Sequence, residues 1–345
     1  MLDDLKYIHH KDAQDALGIA EKQWQQLEHV FETKDWEIAG NCQNVVLAGM
    51  GGSALAGLVS SSWPGYKLPF EIVRGYDVPA YVGPATLFIA SSYSGNTEET
   101  ITALSQAAAR KAQIVILSSG GRLVEIAETK HYPIALLPKV TEPRYGVLYS
   151  LKALVTVLEK FGLADKESAE KTMHASADFI KKSVANWTPD RPTSQNPAKK
   201  LAQELMGRAP VIYAGPKLFP AAYKWKISFN ENAKNVAWCN QYSEFNHNEM
   251  LGWTSHPVDK PYSVIELRSN LEHPRIQRRF EVTEKLLSGL RPAAHIIDVE
   301  GSSLLEQLLW AIAYGDFVSL YLALLNGINP SPVDLIEKFK KTLDA

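Results

Sequence analysis

From residue 44 onward, short β-branched apolar runs alternate with segments whose apolar residues recur at helical spacing. The pattern predicts strands at 44–48, 70–74, 86–91, 113–118 and 133–137, with helices at 54–62, 97–110, 122–129 and 147–162. A connecting helix follows at 165–187, then the proline-rich polar stretch 189–197, which reads as a linker or an exposed loop. The alternation resumes with strands at 210–214, 234–239, 262–267 and 294–299 and helices at 197–207, 217–232, 274–290, 302–326 and 332–343. Strand–helix alternation requires crossover helices and therefore parallel sheets covered on both faces. The expected fold class is α/β, as two tandem domains, residues 1–164 and 165–345. Residues 1–40 read as helical and polar, with Trp24, Leu27, Val30 and Phe31 spaced as one apolar face.

Two strand-to-helix turns stand out. The first is Gly49-Met50-Gly51-Gly52-Ser53, after the apolar run Val45 to Ala48. Glycines let backbone approach a ligand, and the free N–H groups of a starting helix attract an anion. The second is Ser91-Ser92-Tyr93-Ser94-Gly95-Asn96-Thr97-Glu98-Glu99, where Ser92, Ser94 and Thr97 place hydroxyls around another helix start. Asn96 with Glu99 three residues later has the form of a capping box. Hydroxyls with free N–H groups suit a phosphate monoester. No lysine follows as in a P-loop, which argues against a nucleoside triphosphate.

Composition narrows the classes. The chain has 345 residues, 46% apolar and 21% charged, as in a soluble globular protein. A net charge of −2 argues against nucleic-acid binding. Cys42 and Cys239 alone make neither a disulfide framework nor a zinc site, and fit a reducing, cytoplasmic compartment. The acidic start Met1 to Lys6 lacks the apolar core of a signal peptide. Residues 304–325 form the longest apolar stretch, but Glu306, Gln307 and Asp316 interrupt it, so it reads as a buried core helix rather than a membrane span.

The pattern Ser92-x-Ser94-Gly95-x-Thr97-x-Glu99 resembles the phosphosugar loop of sugar isomerase (SIS) domains. Paired with Gly49 to Ser53, it is similar to the bifunctional phosphoglucose/phosphomannose isomerases. Four later motifs narrow the resemblance. On residues alone Arg144, in Glu142-Pro143-Arg144, fits a surface salt bridge as well as a stabiliser of developing negative charge. Glu231, in Phe229-Asn230-Glu231-Asn232-Ala233-Lys234, fits a solvated helix end or a general base. His247, in Phe245-Asn246-His247-Asn248-Glu249, lies sixteen residues later in a polar setting, where it can be structural or can move a proton. Lys340 lies beside the apolar face Val333, Ile336, Phe339 and Leu343 of a terminal helix and fits a solvated lysine.

The resemblance implies two SIS-type domains and an aldose–ketose isomerase of sugar 6-phosphates. It implies that Gly51, Gly52, Ser53, Ser92, Ser94 and Thr97 hold the phosphate. It implies Glu231 as the base, Arg144 as enediolate stabiliser, and His247 and Lys340 as partners in ring opening. Lys338 and Lys341 are near enough to compete with Lys340 for that register. It implies no metal and no organic cofactor, and a homodimer in which His247 reaches the site of the partner. Ser331 matches the small hydroxyl residue ahead of the terminal helix that leaves room for a C2 epimer. Two rivals remain open at this stage. One is a non-catalytic sugar-phosphate sensor. The other is a nicotinamide dehydrogenase built on Gly49-x-Gly51-x-x-Ala54, with Arg74 near the ribose.

Overall fold

The computed structural model describes residues 1–33, 36 and 41–343. The chain divides into two compact units, one of residues 22–179 and one of residues 180–345 with residues 1–21. It opens with two short helices, α1 (Leu5–Lys11) and α2 (Ala16–Lys22), and a 3-10 turn, Gln23–Glu28. Asp4 caps α1 through Lys6 and Tyr7 N–H, and buried Asp12 accepts from Ala16 and Leu17 N–H at the start of α2. The single apolar face expected over residues 1–40 is not formed. The backbone turns extended at His29, and Val30 is 80% exposed while Leu27 and Phe31 are buried. Residues 34, 35 and 37–40 of that predicted helix lie outside the described residues.

The 22–179 unit is a five-stranded parallel sheet. Its elements are β1 (Asn44–Ala48), α3 (Gly51–Ser62), β2 (Phe70–Val73), β3 (Thr86–Ser91), α4 (Glu98–Ala109), β4 (Gln113–Ser118), α5 (Gly121–Lys130), β5 (Ile134–Leu136) and α6 (Val147–Lys160). The order is β2-β1-β3-β4-β5, all pairs parallel. Side chains alternate along each strand. Val46, Ala48, Phe88 and Ala90 therefore pack with Ile101, Leu104 and Leu123 on one face. Val45, Leu47, Leu87 and Ile89 pack with Ala153, Leu154 and Val157 on the other. Helix α7 (Lys166–Val184) follows.

The second unit contains α8 (Pro197–Glu204), β6 (Ala209–Ala214), α9 (Phe219–Glu231), β7 (Trp238–Gln241), α10 (Glu249–Gly252), β8 (Tyr262–Arg268), α11 (Pro274–Leu286), β9 (His295–Asp298), α12 (Leu304–Leu325) and α13 (Asp334–Leu343). Its sheet is parallel in the order β7-β6-β8-β9. The apolar stretch 304–325 is one helix whose most apolar window, of mean hydropathy 1.8, is 94% buried inside the protein. It packs on α8 and α9 as a core helix. Ser303 and Glu306 start it with a complete capping box.

The proline-rich stretch is a fixed loop. Lys199, fully buried, donates to Pro189 O and Arg191 O at 2.7 Å each and to Asp3 at 3.2 Å. Those three acceptors compensate the burial of its charge, and they tie the first residues of the chain to this unit. Strand β7 starts four residues later than the pattern predicts. Residues 234–237 instead close α9, because Lys234 takes a left-handed backbone (φ 52°) and Asn235 N–H returns to Phe229 O at 3.1 Å.

Candidate functional site

In the 22–179 unit the strand order reverses between β1 and β3. In open α/β sheets the crevice beyond the carboxyl ends of such a pair is where ligands bind. Both turns singled out in the sequence begin there. Gly49 to Ser53 leaves β1 and Ser92 to Thr97 leaves β3. Gly49 packs so tightly that a Cβ would lie 2.8 Å from Ser91 O. Gly51 has φ 50°, a conformation costly for any residue with a Cβ. Helix α3 begins three residues earlier than expected, so Gly51, Gly52 and Ser53 form its first turn.

Neither helix is capped by the side chain of its N-cap residue, Met50 for α3 and Thr97 for α4. The capping box expected from Asn96 and Glu99 is absent. The N-cap is Thr97, and Asn96 Oδ1 accepts from Arg122 N–H of α5 at 3.0 Å. Thr97 Oγ1 bonds Ser92 Oγ at 2.7 Å, and Ser53 Oγ accepts from Tyr93 N–H at 3.2 Å, so the two turns brace one another. Ser92 is buried and Ser94 is exposed.

Composition gave no pointer to the residues that hold this loop. Tyr93 donates its hydroxyl to Pro138 O at 2.9 Å. Ser119 donates to Tyr93 O at 2.7 Å. Gly95 (φ 72°) lies so close to the β4–α5 turn that a Cβ would sit 1.8 Å from Gly120 O. Arg144 belongs to the same cluster, in the 3-10 turn Pro143–Tyr145 beyond β5. A side chain at Gly52 would begin 3.9 Å from Arg144 Cα. Arg144 is 3% exposed, which removes the surface salt-bridge reading. Its guanidinium lies 4.8 Å from the Tyr145 ring centroid and 3.5 Å from Glu142 Oε2. A buried, aromatic-backed guanidinium suits recognition of phosphate or carboxylate-like oxygens.

In the second unit the remaining candidates lie on α9, in the turn after β7, and at and ahead of the terminal helix. Glu231 is the last residue of α9 and is half-buried. A polar seam fixes that helix. Lys224 pairs with Asp316 of α12, both fully buried, and Ser228 donates to the same carboxylate at 2.7 Å. One turn on, Asn232 donates to Ser319 at 2.9 Å. Trp225 Nε1 donates to Ala311 O at 2.6 Å, and at Gly315 a Cβ would meet that indole at 2.3 Å.

His247 ends the 3-10 turn Glu244–His247 and is exposed, while its neighbours are held. Phe245 is fully buried, 4.5 Å from the Tyr213 ring. Asn246 donates to Thr283 at 2.9 Å and accepts from Arg279 at 3.1 Å. Glu249 accepts from Tyr213 and, at 2.6 Å, from Asn240. Burial and the Glu249 carboxylate push the Tyr213 hydroxyl far above its usual pKa, so it remains a donor. The turn thus exposes the imidazole while its neighbours are anchored in the unit.

Lys340 is exposed on α13 and pairs with Glu337 at 2.7 Å. The apolar face expected to pack beside it is open. Leu335, Ile336, Phe339 and Leu343 are 80%, 43%, 64% and 59% exposed, and Val333 precedes the helix. Ser331 is buried, with its N–H on Asn329 Oδ1 at 3.1 Å.

The counterpart of the β1–α3 turn in this unit is already filled. The strand order reverses between β6 and β8, and at the β6–α9 turn the Glu272 carboxylate accepts from Lys217 N–H at 2.7 Å. A Cβ on Gly215 would lie 2.3 Å from Glu272 Oε1, so only glycine admits it. Burial pushes the Glu272 carboxyl above its usual range, against the pull of the N–H groups. Among the described residues no cluster of three or more His, Cys, Asp or Glu could hold a metal ion.

Residues 194–343 match the family described as the bacterial phospho-glucose isomerase C-terminal SIS domain. The chain is 34% identical over 311 residues to a bifunctional phosphoglucose/phosphomannose isomerase of Caldicellulosiruptor bescii, covering 88% of this chain and 91% of that one. It is 35% identical over 306 residues to one of Thermoplasma volcanium, covering 88% and 92%. The fold matches a crystal structure of a glucose-6-phosphate isomerase like protein from Thermus thermophilus with a TM-score of 0.65 at 16% identity, over 97% of this chain and 99% of that one. The chain belongs to the bifunctional phosphoglucose/phosphomannose isomerase family.

Proposed function

We propose that the protein interconverts glucose 6-phosphate and mannose 6-phosphate with fructose 6-phosphate. The observation that carries this reading is the pair of hydroxyl-lined helix starts at the β1/β3 reversal, with buried Arg144 beside them, in a chain of this family. The phosphate is held by the backbone of Gly51, Gly52 and Ser53 and by Ser92, Ser94 and Thr97. His247 and Lys340 move protons during ring opening. Glu231 takes the proton from C2 and returns it to C1 through a cis-enediol, and Arg144 stabilises the negative oxygen. Carbonyl and enediol chemistry needs no metal or organic cofactor. Ser331 leaves room for either C2 epimer.

We also propose a cytoplasmic homodimer in which His247 serves the partner's site. The two free cysteines fit the compartment, and the open apolar face of α13 fits a second copy as its cover. Chains carrying Glu231→Gln and chains carrying His247→Ala are inactive alone. Remixed at random, they form mixed dimers, and roughly a quarter of normal sites return, because one site of each mixed dimer lacks neither group. Mixed dimers confirmed by mass that stay inactive contradict the exchange of His247.

The catalytic reading is tested by Glu231→Gln, which keeps size and hydrogen bonding but removes the proton acceptor. The variant still binds sugar phosphate and exchanges no C2 proton with deuterated solvent. Exchange near the wild-type rate contradicts the assignment, and a wild type that binds phosphosugars without any exchange is a sensor.

A further inference from the structure

Lys234, the last residue of the Glu231 motif, has no part in the chemistry above. It sits in a left-handed backbone conformation at the end of α9, with φ 52°. Glycine is the usual residue there, because a Cβ crowds the following carbonyl. A lysine at such a position is explained by its side chain. Its ammonium donates to Glu231 O and Pro330 O at 2.8 Å each, and lies 3.2 Å from Asn329 O and 3.5 Å from Asn232 O. Three protons are thus shared among four carbonyls.

Two of those carbonyls are last-turn acceptors of α9, which a helix leaves without internal partners and where its dipole favours a cation. The other two belong to the strap that leads through Ser331 into α13. The strap is also fixed from the far side. Asn329 donates to Gln14 at 2.9 Å, and its Oδ1 holds Ser331 N–H. A single ammonium therefore binds the backbone of Glu231 to the segment that launches the helix bearing Lys340.

We propose that Lys234 is a positioning residue that locks the carrier of the base, the Ser331 strap and the start of α13 into one geometry. This rests on the isomerase reading, and the Lys234 variants are therefore read by two measurements, only one of which needs activity.

Lys234→Gly removes the ammonium while relieving the backbone, so folding is retained. Lys234→Met repeats the loss without adding flexibility, and Lys234→Arg keeps the charge. The first measurement is amide hydrogen exchange over residues 329–343, which becomes faster in the Gly and Met variants and stays near wild type in Arg. The second is steady-state kinetics. Because small misplacements of reacting groups cost up to about a hundredfold, kcat falls roughly ten- to a hundredfold in Gly and Met, with KM little changed and much of kcat restored in Arg. Unchanged exchange in both Gly and Met overturns the clamp. Faster exchange with unchanged kcat overturns the positioning role. A wild type without isomerase activity defeats the functional reading instead, and the exchange data still decide whether the clamp exists.

Discussion

The β1–α3 turn and the β6–α9 turn are the same construction in two units, and they are used in opposite ways. Each leaves the strand beside which its sheet reverses, and each aims helix N–H groups beyond the strand ends. In the 22–179 unit the facing loop brings Ser92, Ser94 and Thr97, neutral hydroxyls that on the proposed reading add donors for a phosphate. In the second unit the facing loop brings Glu272, an anion of the chain itself, seated on Lys217 N–H. The β6–α9 turn is thus occupied by the chain's own carboxylate, whereas the β1–α3 turn faces hydroxyls. Its candidate chemistry lies instead at the far end of α9 and after β7, where Glu231 and His247 stand.

Four variants test this contrast. The largest effect is expected at Glu231, where loss of the proposed general base lowers the rate by roughly a hundred- to ten-thousandfold. Coupled assays of Glu231→Gln against either epimer measure it, and binding of phosphate is unaffected. Next is the seam that fixes α9. Asp316→Asn leaves Lys224 charged and buried without its partner, which costs about 3–5 kcal/mol of stability by the usual cost of a broken buried pair. Urea unfolding reads that loss, and a change within about 0.5 kcal/mol, the scale of surface substitutions, contradicts the seam's role.

The third effect is on the cradle. Ser94→Ala with Thr97→Ala removes up to two bonds to a charged ligand, each worth about 1.5–3 kcal/mol. Binding of substrate and of inorganic phosphate weakens together in titration calorimetry. Sugar phosphate that binds as before places its phosphate elsewhere.

The smallest effect is the pH response of the filled turn. The folded Glu272 carboxyl has a pKa above its unfolded value of 4.5, so the folded state binds more protons in that window and its stability falls as pH rises through it. Glu272→Gln lacks this term. The stability of the wild type minus that of the variant therefore declines as pH rises from below 4.5 and then levels off. A difference that grows with pH contradicts the assignment.

Most of the fold was legible because a parallel sheet covered on both faces leaves short Val- and Ile-rich runs between helices. Strands 44–48, 86–91 and 113–118 stand where the pattern puts them. Strand β7 was misplaced because Asn240 and Gln241 at its end are polar, while the pattern before it continued through the left-handed Lys234. The spacing predicts a capping box at Asn96, but Asn96 is turned to α5 by a contact that spacing does not encode, and a complete box stands at Ser303. The placement of the two turns at the β1/β3 reversal is legible from local glycines and hydroxyls, and their hold on phosphate is our proposal. The Glu272 plug, the burial of Arg144 and the Lys234 clamp were not, because each depends on residues brought together by the fold.

The proposed reaction is isomerisation by proton transfer at C2. The direct test is incubation of the wild type with glucose 6-phosphate, and separately with mannose 6-phosphate, in deuterated water containing a chelator, followed by proton NMR. Fructose 6-phosphate forms from both, with solvent deuterium at the transferred position. Sugar phosphate that is bound but neither isomerised nor labelled would contradict the account.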